Sequence, residues 1–361
     1  MKASLNSSFR SFDVFVFTVC STVGLGVGVL PYAGEEELRN EWLQLLVGSG
    51  PYFLLLWLIY IFYKKRNNID FFDEIKSFMP KWIVWVIFLY LVGSTLYAGV
   101  IQFSGMNQII EIYLLPNTPK WIILLSFLAT VCLAVYYDIK AITRFLVTLF
   151  FIECLFIISL FVLGFSDYFR WIYIPPIHEG NMIDFLKASI SDLARFGGVF
   201  TLLAFLSYVK QGERTFASMG LGLGFVTLLY VTLSIIVLGT FGFDESLSLI
   251  SPLIVLTQTF LPGHGVFERL DLLYLMFWIV VFFKMVIIHV WFIVHITLKL
   301  LPQVNRLLIT VFYLGFMLVL TITTAGYSHT GWGFHNYNTL AYTLVLPTIL
   351  LLILINRKVK S

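Results

Sequence analysis

The stretch Val23-Gly24-Leu25-Gly26-Val27-Gly28-Val29-Leu30-Pro31 places three alternating glycines and a proline inside an apolar run covering residues 11–33. A run of that length crosses a bilayer as a helix, yet Gly and Pro are the residues least suited to a helix interior. A helix interrupted at membrane depth frees backbone N–H and C=O groups that lipid cannot satisfy. Two readings follow: small residues that let helices approach closely, or a ligand that meets the freed groups. Half-helix ends offer N–H groups to a carboxylate and carbonyls to an ammonium, and an α-amino acid carries both. Gly24, Gly26 and Gly28 are therefore candidate binding residues. Lys2 and Arg10 precede this run, but it is too long for a leader's apolar core and lacks a small-x-small cleavage site. Val19 before Cys20 also argues against a lipoprotein site. The run reads as a first transmembrane helix.

The rest of the chain has the same character. Of 361 residues, 59% are apolar, 12% charged and 17% aromatic, and the mean hydropathy is +0.92. A soluble chain of this length carries roughly twice that share of charge. Soluble and disordered classes are excluded, leaving an all-α polytopic membrane protein with aromatics for interfacial belts. The net charge of +3 is spread among short loops, which argues against a nucleic-acid partner. Cys20, Cys132 and Cys154 lie within apolar runs without a second Cys or a His at metal spacing, and read as packing residues.

Span length predicts ten transmembrane helices near 11–33, 42–63, 82–110, 120–137, 142–164, 186–209, 216–240, 268–298, 305–325 and 338–356. Pro116 and Pro119, Pro175-Pro176 and Pro262-Gly263 support the gaps. The run 248–261 is too short and polar to cross and predicts a helix lying at the surface. With a cytoplasmic N-terminus, sixteen Lys and Arg fall inside and five outside, so both termini are expected in the cytoplasm. The whole chain, 1–361, reads as a single transmembrane domain. Ten spans divide into a five-plus-five inverted repeat, 11–164 and 186–356, whose first helices are broken near the midplane. Gly197-Gly198 in span six occupies the position corresponding to the glycines of span one, and joins the candidate binding residues.

Other patterns carry less chemistry. Gly220, Gly222 and Gly224 repeat the spacing of span one, but no strand-helix unit or acidic partner follows, so helix packing accounts for them. His289 and His295, like His329 and His335, are six apart, which is not metal spacing. No catalytic constellation is legible, and no cofactor or metal is expected. Intramembrane charges stand out, because each costs about 2.5–3.5 kcal/mol at a helix centre. Glu153 lies at the centre of span five and Lys284 at that of span eight; they are expected to form an ion pair near the break in span one. Asp192 and Arg195, one turn apart in span six, form a possible gate. Asp13 reads as interfacial. Tyr97 on span three and Trp278 or Phe282 on span eight are expected to wall the ligand site, since such sites are mostly apolar.

The glycine stretch 23–31, followed by an acidic loop and Trp42, resembles the opening of the spore germination permease family, the B subunits of GerA-type nutrient germinant receptors. Phe267-Glu268-Arg269-Leu270-Asp271 with Trp278 is similar to that family's signature at span eight, and Lys210 and Arg214 match its basic loop after span six. The resemblance covers essentially the whole chain in span number and order. It implies the ten-helix fold of the amino acid–polyamine–organocation transporter superfamily, in the inner membrane of the endospore. It also implies a non-enzymatic receptor subunit that binds a small nutrient, an amino acid or sugar, beside a membrane-embedded A subunit and a lipoprotein C subunit. An amino-acid permease that moves its ligand is the alternative. In the superfamily, helices one, five and eight meet where sodium-coupled members hold a cation, so the Lys284 ammonium would take its place. Relatives often carry Glu after the span-six glycine and Pro further on; here Phe200 and Ser207 stand there.

Overall fold

The computed structural model describes residues 9–24, 40–66, 68–165, 168–174, 182–209, 214–259, 270–323 and 332–357. Gly26 and Gly28 lie outside them. Among the described residues the structure is helical, and the only extended pairing is an isolated bridge between Phe9 and Val209. We number the helices α1 (Ser11–Thr22), α2 (Glu41–Lys65), α3 (Phe71–Phe78), α4 (Lys81–Tyr113), α5 (Lys120–Tyr136), α6 (Ile139–Gly164), α7 (Met182–Leu193), α8 (Arg214–Phe241), α9 (Phe243–Ser248), α10 (Pro252–Thr259), α11 (Leu270–Leu300), α12 (Arg306–Thr323), α13 (Trp332–Leu340) and α14 (Leu346–Asn356). Among the described residues, seven helical segments are long and apolar enough to cross a membrane, eight if the bent pair that begins with α7 is one span. Two of the ten expected spans are represented by shorter apolar helices, α1 and α5. The protein is a multi-pass membrane protein.

Local chemistry sets the helix ends. Asp70 caps α3 by accepting from the N–H groups of Phe72 and Asp73, and Asp138 accepts from Ile139 at the start of α6. Pro80 and Pro119 stand at the N-caps of α4 and α5, where a missing N–H costs nothing. Asp13 is turned back on the start of α1, where its carboxylate accepts from the Arg10 N–H at 2.6 Å. In the last span a π-turn, Ala341–Val345, separates α13 from α14. Pro347 follows it near the start of α14, and its lack of a donor loosens the ladder there.

The helix α1 is central. Val14, Val16, Phe17, Thr18 and Val19 through Thr22 are all buried, against α8, α11, α6 and the segment after α7. The helices α6 and α12 turn much of their surface outward, through Phe151, Leu155, Ile158 and Val162 on one and Leu308, Phe312 and Val319 on the other. Where a bilayer surrounds the protein, such faces need no polar cover. Of the three glycines at 220–224, only Gly222 mediates close packing. An added Cβ there would fall 2.8 Å from Thr18 Cβ, whereas Gly220 and Gly224 face open space.

The expectation for 248–261 needs correction. The segment holds α10, and Leu253, Ile254, Leu256 and Thr257 are buried there. It packs against α11 and α8 instead of lying on the surface, because apolar side chains occupy more than one of its faces.

A second departure is α3, whose 8 residues are too few to cross a membrane. Phe71, Phe72 and Ile75 are buried beneath it, while its polar side reaches the ends of other helices. Lys299 at the end of α11 bonds Asp73 and lies 3.4 Å from Asp70. His295 Nε2 is 2.9 Å from Asp70 Oδ2. Arg66, ending α2, lies 3.6 Å from Glu74 and donates to the Leu354 and Arg357 carbonyls at 2.7 and 3.1 Å. The Tyr63 hydroxyl donates to the Leu203 carbonyl. These contacts tie α3 to the ends of α2, α11 and α14.

Burial by itself would raise the Asp70 pKa, but His295, the Lys299 charge and the Phe72 N–H together hold it below the usual carboxylate range. A lowered folded-state pKa stabilises the fold above the unfolded value, about 3.9. That stability is lost as the pH falls through the lowered value. Asp70→Asn, which keeps the cap, is expected to cost about 1.5–3 kcal/mol at neutral pH. It should also flatten the acid limb of stability below about pH 4. Thermal melts of both proteins between neutral and acid pH check this; identical acid limbs would refute it.

Candidate functional site

The first span is interrupted. α1 stops at Thr22, Val23 is extended, and its N–H makes the last helical bond, to Val19. Gly24 lies in the bend beyond. The carbonyl of Thr22 accepts from the Tyr230 hydroxyl of α8 at 3.2 Å, so a side chain takes a partner's place that the helix no longer supplies.

The sixth span is interrupted at the same depth. After α7 the chain winds as a 3-10 helix over Ala194–Thr201, then as short α and 3-10 turns to Tyr208, and its two parts are bent by 44°. Gly198 sits where the spans cross. A Cβ there would lie 1.9 Å from the Ser21 carbonyl oxygen and 2.7 Å from Thr22 Cα. A Cβ added at Gly197 would lie 3.1 and 3.2 Å from the methyls of Thr339 and Thr343 of the last span. The two breaks meet.

Buried charges flank the crossing. Lys284 of α11 forms an ion pair with Glu153 of α6, and its Nζ is 3.2 Å from Cys20 Sγ of α1. The side chains are 1% and 7% exposed, so each charge has its main compensation in the other. Toward the start of α2, Arg195 Nε is 3.0 Å from Asp192 Oδ1, and Arg195 Nη2 is 3.3 Å from Glu41 Oε1. Ser234 of α8 donates to Glu41 Oε2 at 2.8 Å. The intrahelical pair read from sequence is thus part of a three-helix cluster. Sequence reasoning missed Glu41 and Ser234, because a carboxylate at a span boundary reads as interfacial. The one available signal was an acid where the span's apolar window begins.

The three aromatics are not brought to one wall. Trp278 lines a cavity with Val23, Glu153 and residues of α6, α8 and α10. Phe282 is fully buried among Phe103 of α4 and Phe127 of α5, at ring separations of 5.6 and 5.8 Å. Tyr97 is 37% exposed and stands 6.1 Å from the His335 ring. Phe200 packs at 4.5 Å on Phe292 and 5.3 Å on Tyr342.

A helical membrane protein with two crossing interrupted spans and ion pairs buried beside them belongs to the permease-like class. Residues 9–327 match the spore permease family, described as spore germination protein, and the chain belongs to that family. It is similar to spore germination protein A2 of Bacillus subtilis (strain 168), 27% identical over 301 residues, covering 79% of this chain and 78% of that protein. Spore germination protein B2 of the same organism is 24% identical over 261 residues, 71% and 70% of the two chains. Spore germination protein YndE is 21% identical over 288 residues, 79% of each.

Proposed function

We propose that this chain is the B subunit of a nutrient germinant receptor. It binds a small nutrient, an amino acid or sugar, where the interrupted first and sixth spans cross. The observation that favours this reading is the seating of the α1 terminus against Gly198, within a family of spore germination proteins. Gly24, Gly26, Gly28, Gly197 and Gly198 frame the polar part of the nutrient, with Asp192 and Arg195 as a gate over it.

Ten spans in two inverted halves, 11–164 and 186–356, are the scaffold of the reading, with both termini on the cytoplasmic or core side of the endospore inner membrane. Nutrient binding selects one state of that scaffold, and the membrane-embedded A subunit and lipoprotein C subunit read it out through helix contacts. Lys284 stands in for a transport cation, so response requires no sodium.

Spores lacking the native subunit and complemented with this chain test the reading against a nutrient panel. Gly26→Val is expected to abolish the nutrient response at normal protein level. A normal response in that variant would refute the site. Radiolabelled amino-acid uptake into proteoliposomes, without any germination response in spores, would favour a working permease instead.

A further inference from the structure

The helices α5 and α6 are consecutive in the chain, yet each packs on α11 more than on the other. An open groove of about 260 Å³ is left between them, lined by Leu133 and Ala134 of α5, Ala141 and Phe145 of α6, and Phe283 and Ile287 of α11. Ala134 and Ala141 are the small residues on either side of the turn, where longer side chains would close the space. The groove follows α5 from Tyr137 back to Thr130, about 10 Å at 1.5 Å per residue. It therefore runs from the α5–α6 turn, at the membrane edge, toward the middle of α11. Leu133 is 66% exposed and Phe145 38%, so it opens outward, to the acyl chains of one leaflet. Its walls are hydrocarbon, and the Thr130 hydroxyl is engaged with the Ser126 carbonyl at 2.9 Å.

The end of the groove at the turn is basic. The exposed positions in the first two turns of α6 are Lys140, Ala141, Arg144 and Phe145, two adjacent columns on one helix face. Ala141 and Phe145 line the groove, and Lys140 and Arg144 form the column beside them. Side chains on a helix lean toward its N-terminus, so both cations are carried back toward the turn, at headgroup depth. Among the described residues neither side chain has an ion pair or hydrogen bond. Asp138, the nearest acid along the chain, accepts from the Ile139 N–H at 2.7 Å, and two cations against one carboxylate leave a positive surplus. Tyr137, at the same end, brings the amphipathic ring typical of the membrane interface.

We propose that this groove is a binding site for one anionic phospholipid, separate from the nutrient site at the helix crossing. One acyl chain lies in the groove and the phosphate rests between Lys140 and Arg144. The space suits a single hydrocarbon chain, whereas a partner helix is about 10–12 Å across with its side chains and would not enter. A neutral lipid would fill the groove but leave both cations unmatched, and a soluble anion would match the cations but leave the apolar walls bare. Basic residues beside a cleft between membrane helices favour anionic headgroups by about fivefold for each Lys or Arg. Once bound, the chain joins α5 to α6 across Phe283, the neighbour of the ion-paired Lys284.

The test is photolabelling of the full chain in phosphatidylcholine nanodiscs with phosphatidylglycerol bearing a diazirine on one acyl chain, adducts being placed by mass spectrometry. Adducts are expected on Leu133, Phe145, Phe283 and Ile287. Phosphatidylcholine bearing the same diazirine should label those residues about tenfold less. Unlabelled lysophosphatidylglycerol, which keeps one chain and the phosphate, should compete, and glycerol 3-phosphate, which has no chain, should not. Lys140→Gln and Arg144→Gln should each weaken phosphatidylglycerol labelling about fivefold, and Ala134→Trp, which fills the groove, should abolish it. Equal labelling of the groove by the two lipids would overturn the proposal. So would phosphatidylglycerol adducts spread evenly over outward residues such as Leu155 and Val162, or full competition by glycerol 3-phosphate. These three readings use the unaltered protein, so they stand even where a variant fails to fold.

Discussion

Gly198→Ala is expected to eliminate the folded protein. The added methyl would lie 1.9 Å from the Ser21 carbonyl oxygen and 2.5 Å from its carbon. Those are backbone atoms of a buried helix end, with no rotamer to yield. Overpacking a core typically costs about 1–3 kcal/mol and occasionally more. Here the first span must move away from the sixth, so the upper end or beyond applies. Gly220→Ala is the control, since nothing lies within 4 Å of its added Cβ. It should be neutral or slightly stabilising, because Ala is favoured over Gly in a helix by about 0.8–1.0 kcal/mol. Yield of monodisperse protein in mild detergent and its melting temperature measure both. A Gly198→Ala protein that melts with the unaltered chain would show that the two spans do not cross here.

The second large effect is at the buried ion pair. Glu153→Gln leaves the Lys284 ammonium with Cys20 Sγ as its remaining contact in a side-chain environment 1% exposed. Removing one partner of a buried pair typically costs about 3–5 kcal/mol, because the other charge stays uncompensated. Replacing both, as in Glu153→Gln with Lys284→Met, removes the stranded charge and should recover much of that loss. Melting of the two single variants and the double variant completes the cycle. Simple additivity of the singles would mean the two groups are energetically independent, and would also remove Lys284 from its cation-like role.

How much of this was legible differs from residue to residue. Glu153 and Lys284 could be flagged in one dimension because a charge inside a span is expensive wherever it points. Glu41 carries a buried charge of the same kind, yet it begins its helix, where an acid costs nothing if exposed. Only the approach of Arg195 and Ser234 shows that it is buried. The aromatics are hard to choose among for a statistical reason: with 36 Phe, 18 Tyr and 9 Trp, depth along a span cannot pick out the few that face a site. The amphipathic helix α3 is invisible to span length, because a run of about 20 apolar residues carries no information about a cap and one buried face.

The sequence by itself determined that this chain lives in a membrane, roughly where its spans run, and that its first and sixth spans are interrupted. Those are properties of apolar length, glycine placement and charge cost, each of which acts locally along the chain. Tertiary structure alone decided which interruptions touch, since Gly198 and Ser21 are far apart in sequence and meet only through helix crossing. It also decided which face of each helix is buried: α10 is tucked against α11, and Glu41 is drawn into the Arg195 cluster. The physical reason is that in lipid the two faces of a span can be equally apolar. Hydropathy then sets depth, but rotation about the helix axis is settled by packing and by the polar partners that neighbouring helices supply.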